Sequence, residues 1–293
     1  MKLLITGGNG FIGKNLTAHW TERHQVLAPG RSELDLTDSE AVADYLQLHR
    51  FDAVIHGATE RSNRALVSRP DQVERNCRMF FNLASQARHF GRMLFLSSGA
   101  VYDRPHWRPR MREDYFGCHI PADPYGFSKY VCARSIDGSA NIFEMRLFGV
   151  FGRHEDWRVR FISNACCRAV FDMPITIRQN VVFDYLDVED LGWLLEACLA
   201  RDLRYRQYNV CTGRTFDLRA LAEMVVGVSQ KTLAIQIRRA GTGMEYSGDN
   251  SRLLEEVPDF QFHDMYGSVS RLYRWYEQQR SGIDADQLRL DDE

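Results

Sequence analysis

The sequence predicts an α/β protein with a doubly wound parallel sheet and a smaller α/β part towards the C-terminus. Short apolar runs alternate with amphipathic stretches through the first half of the chain. Strands that are apolar on both faces are typical of parallel sheets, and alternating strands and helices favour right-handed βαβ crossovers. With 293 residues, 44% of them hydrophobic, the chain can bury a large core.

The predicted elements follow one another in a regular order. Apolar runs predict strands at residues 2–6, 25–28, 53–56, 93–97 and 142–146, and helical periodicity predicts helices at 11–20, 39–49, 71–90 and from 125 onwards. Residues 100–124 are polar and rich in proline, so we expect a long loop there that is either functional or mobile. The tail from about Ser281 is polar and acidic, and we expect it to fray.

Composition excludes some classes of protein and favours others. The formal net charge is −2, with 37 basic and 39 acidic residues, which gives no reason to expect a partner such as nucleic acid or a membrane surface. No apolar run approaches the roughly 20 residues of a membrane span, so we expect a cytoplasmic protein. The seven cysteines are scattered without a CxxC pair. We interpret them as reduced thiols and expect no metal site.

A glycine-rich segment joins the first strand to the first helix. Gly7, Gly10 and Gly13 permit a tight turn, a close approach to a pyrophosphate, and close packing of the helix on the strand. Backbone amides at the start of a helix lack partners and face such an anion. The position of these glycines, directly after a strand, predicts a Rossmann-type dinucleotide site.

The end of the second strand indicates which dinucleotide binds. An acidic residue usually stands there to hold the ribose hydroxyls, but this chain has Arg31 after an Ala-Pro-Gly run. A guanidinium can hold a 2′-phosphate through paired hydrogen bonds. The sequence therefore favours NADP, with NAD and a solvent-exposed Arg31 as the alternative. We place Asp35 and Leu36 beside the adenine, and Asp38 at the start of the next helix.

A serine, a tyrosine and a lysine form the second constellation. Ser98 follows the fourth strand, and Tyr125 and Lys129 share one face of the helix that starts near residue 125. A phenol is a poor acid or base at neutral pH, but a nearby ammonium stabilises the phenolate. The tyrosine can then exchange a proton with an alcohol or carbonyl oxygen while a dinucleotide exchanges hydride with the carbon.

These motifs together resemble the extended short-chain dehydrogenase/reductases, the NAD-dependent epimerase/dehydratase group that acts on nucleotide sugars. The resemblance covers most of the chain. It implies that Ser98, three residues before Val101, is the catalytic hydroxyl rather than Ser97. It also implies a set of cofactor contacts: Gly7, Asn9, Gly10, Phe11, Ile12, Gly13, Gly57, Ala58, Asn76, Tyr125, Lys129 and Phe148.

The resemblance further implies how the chain is organised. We expect residues 1–150, with a return at about 177–205, to form the dinucleotide-binding domain. Residues 151–176 and 206–293 would then form the substrate-binding domain. Members of the group often dimerise through a four-helix bundle, so we expect a homodimer that uses the helices near 71–90 and 125–137.

Several residues differ from the group's usual motifs, and these differences limit the reactions that the chain is expected to catalyse. Related 4,6-dehydratases carry Asp-Glu directly after the catalytic hydroxyl, where this chain has Gly99 and Ala100, which can move no proton. GDP-fucose synthase-like relatives carry a cysteine at the position of Ala100, which makes a 3,5-epimerase step doubtful as well. Their NADP-binding segment is similar to residues 31–36. Reduction of a 4-keto group is the chemistry that remains.

The substrate contacts are less well defined. Many relatives have an arginine that contacts the nucleotide diphosphate where this chain has Phe183. Arg158, Arg160 and Arg178 are candidates to replace it, and Arg252 lies in an element similar to the group's Asp-x-Ser-Lys/Arg motif. Arg158, Arg160 and Arg178 could each equally be a solvated charge, and Arg252 could instead pair with a nearby carboxylate. We expect Ser98 and Gly99 to contact the sugar.

Four functions remain in competition. The leading hypothesis is an NADPH-dependent reductase of a nucleotide-linked 4-keto-6-deoxy sugar. The alternative is a nucleotide-sugar 4-epimerase that keeps its dinucleotide tightly bound and reuses it. A non-catalytic dinucleotide sensor and a reductase of small carbonyl compounds are the other two, and retention of Ser98, Tyr125 and Lys129 counts against the sensor.

Overall fold

The computed structural model describes residues 1–60 and 70–289. Its strands are β1 (Lys2–Thr6), β2 (Gln25–Leu27), β3 (Phe51–His56), β4 (Phe90–Ser98), β5 (Ile142–Leu147), β6 (Gly149–Phe151), β7 (Ile175–Asn180), β8 (Val182–Asp187), β9 (Gln207–Val210), β10 (Thr215–Asp217) and β11 (Ile235–Thr242). Its α-helices are α1 (Phe11–Trp20), α2 (Ser39–His49), α3 (Gln72–Ala84), α4 (Pro124–Ile136), α5 (Phe161–Val170), α6 (Val188–Leu199), α7 (Leu218–Ser229), α8 (Ser251–Glu256) and α9 (Met265–Gln278).

A six-stranded parallel sheet forms the centre of the fold. Its order is β2-β1-β3-β4-β5-β9, so the direction of the crossovers reverses at β1. In a doubly wound sheet such a reversal opens a crevice at the carboxyl ends of the strands that flank it, where ligands bind. The predicted Rossmann-like α/β fold is confirmed.

Helices cover both faces of this sheet because its strands are apolar on both sides. On one face, α1 and α6 bury Leu16, Trp20 and Leu194 against the sheet. On the other face, α2, α3 and α4 pack against it through a second core that includes Phe80 and Ile136. Asp38 caps α2 as expected, since its carboxylate accepts hydrogen bonds from the first amides of that helix.

Two smaller sheets and the helices α5, α7 and α9 form much of what the structure describes beyond the large sheet and its helices. The strands pair as β10-β8-β6 and β11-β7, while α5, α7 and α9 share a third core. Strand β9, which we expected in the substrate-binding part, completes the large sheet instead. The boundary at residue 206 therefore does not follow the sheet, and the division into two domains stays a prediction.

Two expectations about element ends are wrong. The third helix ends at Ala84 rather than at residue 90, because Phe90 is buried and already pairs with Phe51 as the first residue of β4. The tail does not fray through residue 289. Leu288 is fully buried in the third core, and its carbonyl accepts a hydrogen bond from the Arg168 guanidinium.

None of the helices within the described ranges has the length and apolar composition that a membrane span requires.

Candidate active site

The glycine-rich turn lies where the sequence predicts it, between β1 and α1. Gly10 immediately precedes the helix, whose first turn contains no acidic residue and no side-chain cap, so its amides remain available to an anion. Gly13 allows the turn and the helix to touch, because a Cβ there would lie 2.2 Å from the Gly7 carbonyl oxygen. The cradle fits the pyrophosphate of a dinucleotide.

A cavity of about 300 Å³ opens from this turn along the carboxyl ends of β1, β2 and β3. Its walls contain many of the predicted cofactor residues together with some that we did not predict. The lining residues are Thr6, Gly7, Gly8, Asn9, Gly10, Pro29, Gly30, Arg31, Leu34, Asp35, Leu36, Gly57, Ala58, Thr59, Glu60, Arg75 and Met79. Phe11, Ile12 and Gly13 belong to α1, which starts at the edge of the cavity.

Two guanidinium groups line this cavity beside two carboxylates. Arg31 is largely exposed and lies 3.4 Å from Asp35 and 3.8 Å from Glu60. Arg75, which sequence reasoning missed, donates to Glu60 at 3.0 Å. Hydrogen bonds from Thr37, and then the charge of Arg31, hold the pKa of Asp35 below its usual value. This wall can therefore bind both an anion and a hydrogen-bond donor.

Asn76 supports the wall of the cavity from behind. Its side-chain oxygen accepts a hydrogen bond of 2.7 Å from the Glu60 amide, and its nitrogen donates to Ser128 Oγ at 3.2 Å. Asn76 is buried, and its two hydrogen bonds connect the segment after β3 to α4. These contacts position other cofactor-site residues, and a direct contact of Asn76 with the cofactor stays a prediction.

The structure brings Ser98, Tyr125 and Lys129 to the carboxyl edge of the large sheet. Ser98 ends β4, and α4 packs against the turn that follows it. Lys129 is buried, donates to the Leu96 carbonyl at 2.9 Å, and places its ammonium 5.9 Å from the centre of the Tyr125 ring. Ser97 is buried while Ser98 is half-buried, which agrees with Ser98 as the accessible hydroxyl.

An aromatic cluster borders Ser98 on its other side. Phe148, which we predicted as a cofactor contact, packs its ring 4.9 Å from Tyr246, and Trp107 lies 4.1 Å from the same tyrosine. Tyr102 and Phe183 complete this cluster. Sequence reasoning missed Tyr246, because no motif contains it and it comes close to Gly99, the residue after Ser98, only through the fold.

Buried polar groups hold the long loop in place beside this cluster. The Arg146 guanidinium pairs with Glu144 at 2.7 Å and donates to the Tyr102 hydroxyl at 2.8 Å. Tyr102 donates in turn to the side-chain oxygen of Asn209 at 2.6 Å. The side-chain nitrogen of Asn209 donates to the carbonyls of Met111 and Asp249. The loop predicted at 100–124 is thus a fixed wall, although it contains only short 3₁₀ turns.

Two of the four candidate substrate arginines, Arg158 and Arg252, pair with carboxylates, and the other two are exposed. Arg158 forms a bidentate pair with Asp156 at 2.8 and 3.0 Å, and Arg160 and Arg178 are exposed. The Arg252 guanidinium lies 4.9 Å from the Tyr205 ring and 3.8 Å from the Glu113 carboxylate, so it pairs with a nearby carboxylate. A substrate role for these four arginines stays a prediction.

Comparison with known proteins agrees with this geometry. Residues 3–211 match the family described as the NAD dependent epimerase/dehydratase family. The chain belongs to this family. The predicted enzyme class, NAD(P)-dependent and of the extended short-chain dehydrogenase/reductase type, is confirmed.

Individual relatives are similar over most of their length. A GDP-6-deoxy-D-mannose reductase of Pseudomonas aeruginosa is 28% identical over 80% of this chain and 82% of its own. Among solved structures, a UDP-glucose 4-epimerase of Thermotoga maritima with UDP-glucose covers 96% of this chain and 100% of its own, with a TM-score of 0.82 and 18% identity. A GDP-mannoheptose C4 reductase of Campylobacter jejuni with NADP bound covers 94% and 98%, with a TM-score of 0.81 and 17% identity.

A buried histidine beside Thr6, which lines the cavity, is expected to make the stability of the fold depend on pH. His56 ends β3, and its Nδ1 lies 2.8 Å from Thr6 Oγ1. Burial, reinforced by the charge of Lys129, lowers the pKa of His56 to about 3. A histidine that the fold holds neutral adds its full contribution to the free energy of unfolding at pH values above its unfolded pKa. That contribution is lost as the pH falls from about 6.5 towards 3.

We therefore expect His56→Asn to flatten the acid limb of the stability profile. Between pH 7 and pH 5 the wild-type protein should lose about 2 kcal/mol more unfolding free energy than the variant. Urea unfolding at the two pH values measures this difference. Identical pH dependence in both proteins would show that His56 is not held neutral.

Proposed function

We propose that the protein is an NADPH-dependent reductase of a nucleotide-linked 4-keto-6-deoxy sugar. One observation carries the proposal: Ser98, Tyr125 and Lys129 meet at the carboxyl edge of the sheet that bears the dinucleotide cavity. The two positions after Ser98 are glycine and alanine, which supply no group that could move further protons. A single reduction is the reaction that these groups are equipped to support.

The side chains take separate parts in that reaction. NADPH supplies, when bound, the hydride that adds to carbon C4 of the sugar. Ser98 holds the C4 oxygen by a hydrogen bond, and Tyr125 delivers a proton to that oxygen, so that the ketone becomes an alcohol. The ammonium of Lys129, 5.9 Å from the Tyr125 ring, stabilises the phenolate that remains.

The relatives support a substrate of this class. The Pseudomonas aeruginosa relative is named a GDP-6-deoxy-D-mannose reductase, which makes GDP-linked 4-keto-6-deoxy sugars the first compounds to test. The Thermotoga maritima structure, a 4-epimerase, supports only the fold at its level of identity. The alternative function is a 4-epimerase that retains its cofactor, and the assay described below distinguishes it from a reductase.

The polar wall of the cavity supports NADP as the preferred cofactor. Arg31 and Arg75 both line the cavity near the end of β2. The Arg31 side chain is 61% exposed and its ion pairs are long, at 3.4 and 3.8 Å, so its guanidinium is available to a 2′-phosphate. A phosphate held by one or two guanidiniums gains charge-assisted hydrogen bonds that a ribose hydroxyl does not offer.

We also propose a homodimer through α3 and α4. These two helices pack side by side on one face of the large sheet. Their outer surfaces carry large apolar side chains that the single chain leaves exposed, Phe81 at 40% and Phe127 at 38%. Pairing the same surfaces of two chains about a two-fold axis would cover both rings.

The reaction is tested by mixing the protein with NADPH and a GDP-linked 4-keto-6-deoxy sugar. We expect absorbance at 340 nm to fall in step with the amount of sugar reduced. Because Tyr125 is the proposed proton donor, Tyr125→Phe should lower kcat by about 10²–10⁴-fold. Tyr273→Phe serves as the matched control, since it removes a buried phenol from the third core, and it should leave kcat unchanged.

Other results of this assay would contradict the proposal in different ways. Turnover of a nucleotide sugar without net oxidation of NADPH would identify a 4-epimerase. Cofactor binding without any hydride transfer would favour a dinucleotide sensor. Equal kcat for the wild-type protein and Tyr125→Phe would remove the assigned role of Tyr125.

Cofactor preference is tested by Arg31→Ala. We expect the Kd for NADPH to rise about 10-fold or more, because a charge-assisted contact is lost, while the Kd for NADH changes little. Fluorescence titration with both dinucleotides measures the effect. Arg78→Ala, which removes an exposed guanidinium from α3, is the control. Equal effects of Arg31→Ala on both dinucleotides would contradict the preference for NADP.

A further inference from the structure

Glu60 holds a carboxylate between two arginines in the wall of the dinucleotide cavity. Its Oε1 atom lies 3.0 Å from Arg75 Nε and 3.8 Å from Arg31 Nη1. All three side chains line the cavity, although Arg31 follows β2, Glu60 follows β3 and Arg75 belongs to α3. One carboxylate oxygen is therefore the nearest acidic partner that two guanidiniums from distant segments have in common.

The backbone of Glu60 is fixed by hydrogen bonds to buried side chains. Its amide donates to Asn76 Oδ1 at 2.7 Å, and its carbonyl accepts from Gln72 Nε2 at 3.0 Å and from Asn76 Nδ2 at 3.3 Å. Gln72 and Asn76 are both buried on α3. The side chain of Glu60 is 28% exposed. The carboxylate is thus held beside the arginines and is still accessible from the cavity.

The two arginines are bound with different strength. Arg75 is 17% exposed and donates to Glu60 at hydrogen-bond distance, whereas Arg31 is 61% exposed and its ion pairs are long. Asp35 also approaches Arg31, but one of its oxygens accepts two hydrogen bonds from Thr37. Glu60 is consequently the carboxylate that restrains Arg75 and reaches Arg31 as well.

A carboxylate in this position competes with a phosphate. Both anions accept charge-assisted hydrogen bonds from guanidinium groups, so each occupies donors that the other would use. Two anions that share the same guanidiniums also repel each other. The 2′-phosphate of NADP is subject to both effects, while the 2′-hydroxyl of NAD is neutral and can donate a hydrogen bond to a carboxylate.

We propose that Glu60 is a specificity-determining residue of the dinucleotide site, whose carboxylate competes with the 2′-phosphate of NADP for the guanidiniums of Arg31 and Arg75. The inference rests on the proposed function, in which Arg31 holds this phosphate. It adds Arg75 as a second phosphate ligand and Glu60 as the group that limits the preference for NADP. Discrimination between two ligands depends on such repulsive elements as well as on attractive contacts.

Glu60→Gln tests this role, because it keeps the length of the side chain and an oxygen that accepts from Arg75 but removes the charge. We expect the Kd for NADPH to fall about 10-fold, while the Kd for NADH changes less than about two-fold. The hydrogen bonds of the residue 60 backbone remain, so the thermal midpoint should stay near the wild-type value. Fluorescence titration with both dinucleotides measures the two constants.

Two further sets of variants show whether the effect acts through the arginines. Glu74→Gln removes an exposed carboxylate that pairs with Arg78 on α3, and as the matched control it should change neither Kd. Glu60→Ala, which also removes the charge, should shift the ratio of the two Kd values in the same direction as Glu60→Gln. In an Arg31→Ala/Arg75→Ala background, Glu60→Gln should alter that ratio less than about two-fold.

The contrary outcomes are distinct from one another. A rise in the Kd for NADPH in Glu60→Gln would show that Glu60 helps to position Arg75 for the phosphate, which would overturn the competition. Equal tightening of NADPH and NADH would indicate a general effect of charge and would overturn it as well. Persistence of the effect in the Arg31→Ala/Arg75→Ala background would show that the guanidiniums do not mediate it, with the same consequence.

These titrations also separate the inference from the proposed function. The ratio of the Kd values in the wild-type protein tests the preference for NADP, and the change of that ratio in Glu60→Gln tests the role of Glu60. A wild-type preference for NADH that shifts towards NADPH in Glu60→Gln would overturn the first and support the second. A wild-type preference for NADPH with an unchanged ratio in the variant would do the reverse.

Discussion

The arrangement of the site depends on a charge buried inside the large sheet. Arg146 is 1% exposed near the carboxyl end of β5, and it is tolerated because Glu144, Tyr102 and the Glu113 carbonyl surround it. A buried ion needs such partners to offset the loss of water, and removing any one would leave a polar group unsatisfied. The network therefore fixes where its members, and the segments that carry them, can lie.

Those segments form one side of the active site. Asn209 links the network to the carbonyls of Met111 and Asp249, and Met111 pairs with the backbone at Ser247 and Gly248. The long loop and the segment that carries Tyr246 are thereby held against the sheet edge that ends in Ser98. The other side of the active site is formed by the carboxyl ends of β1 and β3 and the start of α4. The topology of the parallel sheet is enough to place these elements next to one another.

Local patterns predicted the features that are local in the chain. The glycine turn, the first five strands of the large sheet and the set of Ser98, Tyr125 and Lys129 each follow from spacing within one or two elements, whereas β9 was not predicted. Tyr246 and Arg75 were missed because they reach the site only when distant segments of the chain meet. The third helix was extended too far because its periodicity merges with the apolar start of β4, and the burial of Leu288 depends on a core formed elsewhere.

The central claim is that hydride passes from the bound dinucleotide to carbon C4 of a nucleotide sugar at the Ser98, Tyr125 and Lys129 site. NADPH that carries deuterium in place of the transferred hydrogen, mixed with a GDP-linked 4-keto-6-deoxy sugar, tests it most directly by NMR of the sugar product. We expect one deuterium at C4 for each NADPH oxidised. A product, or unchanged sugar, without deuterium at C4 would contradict the account.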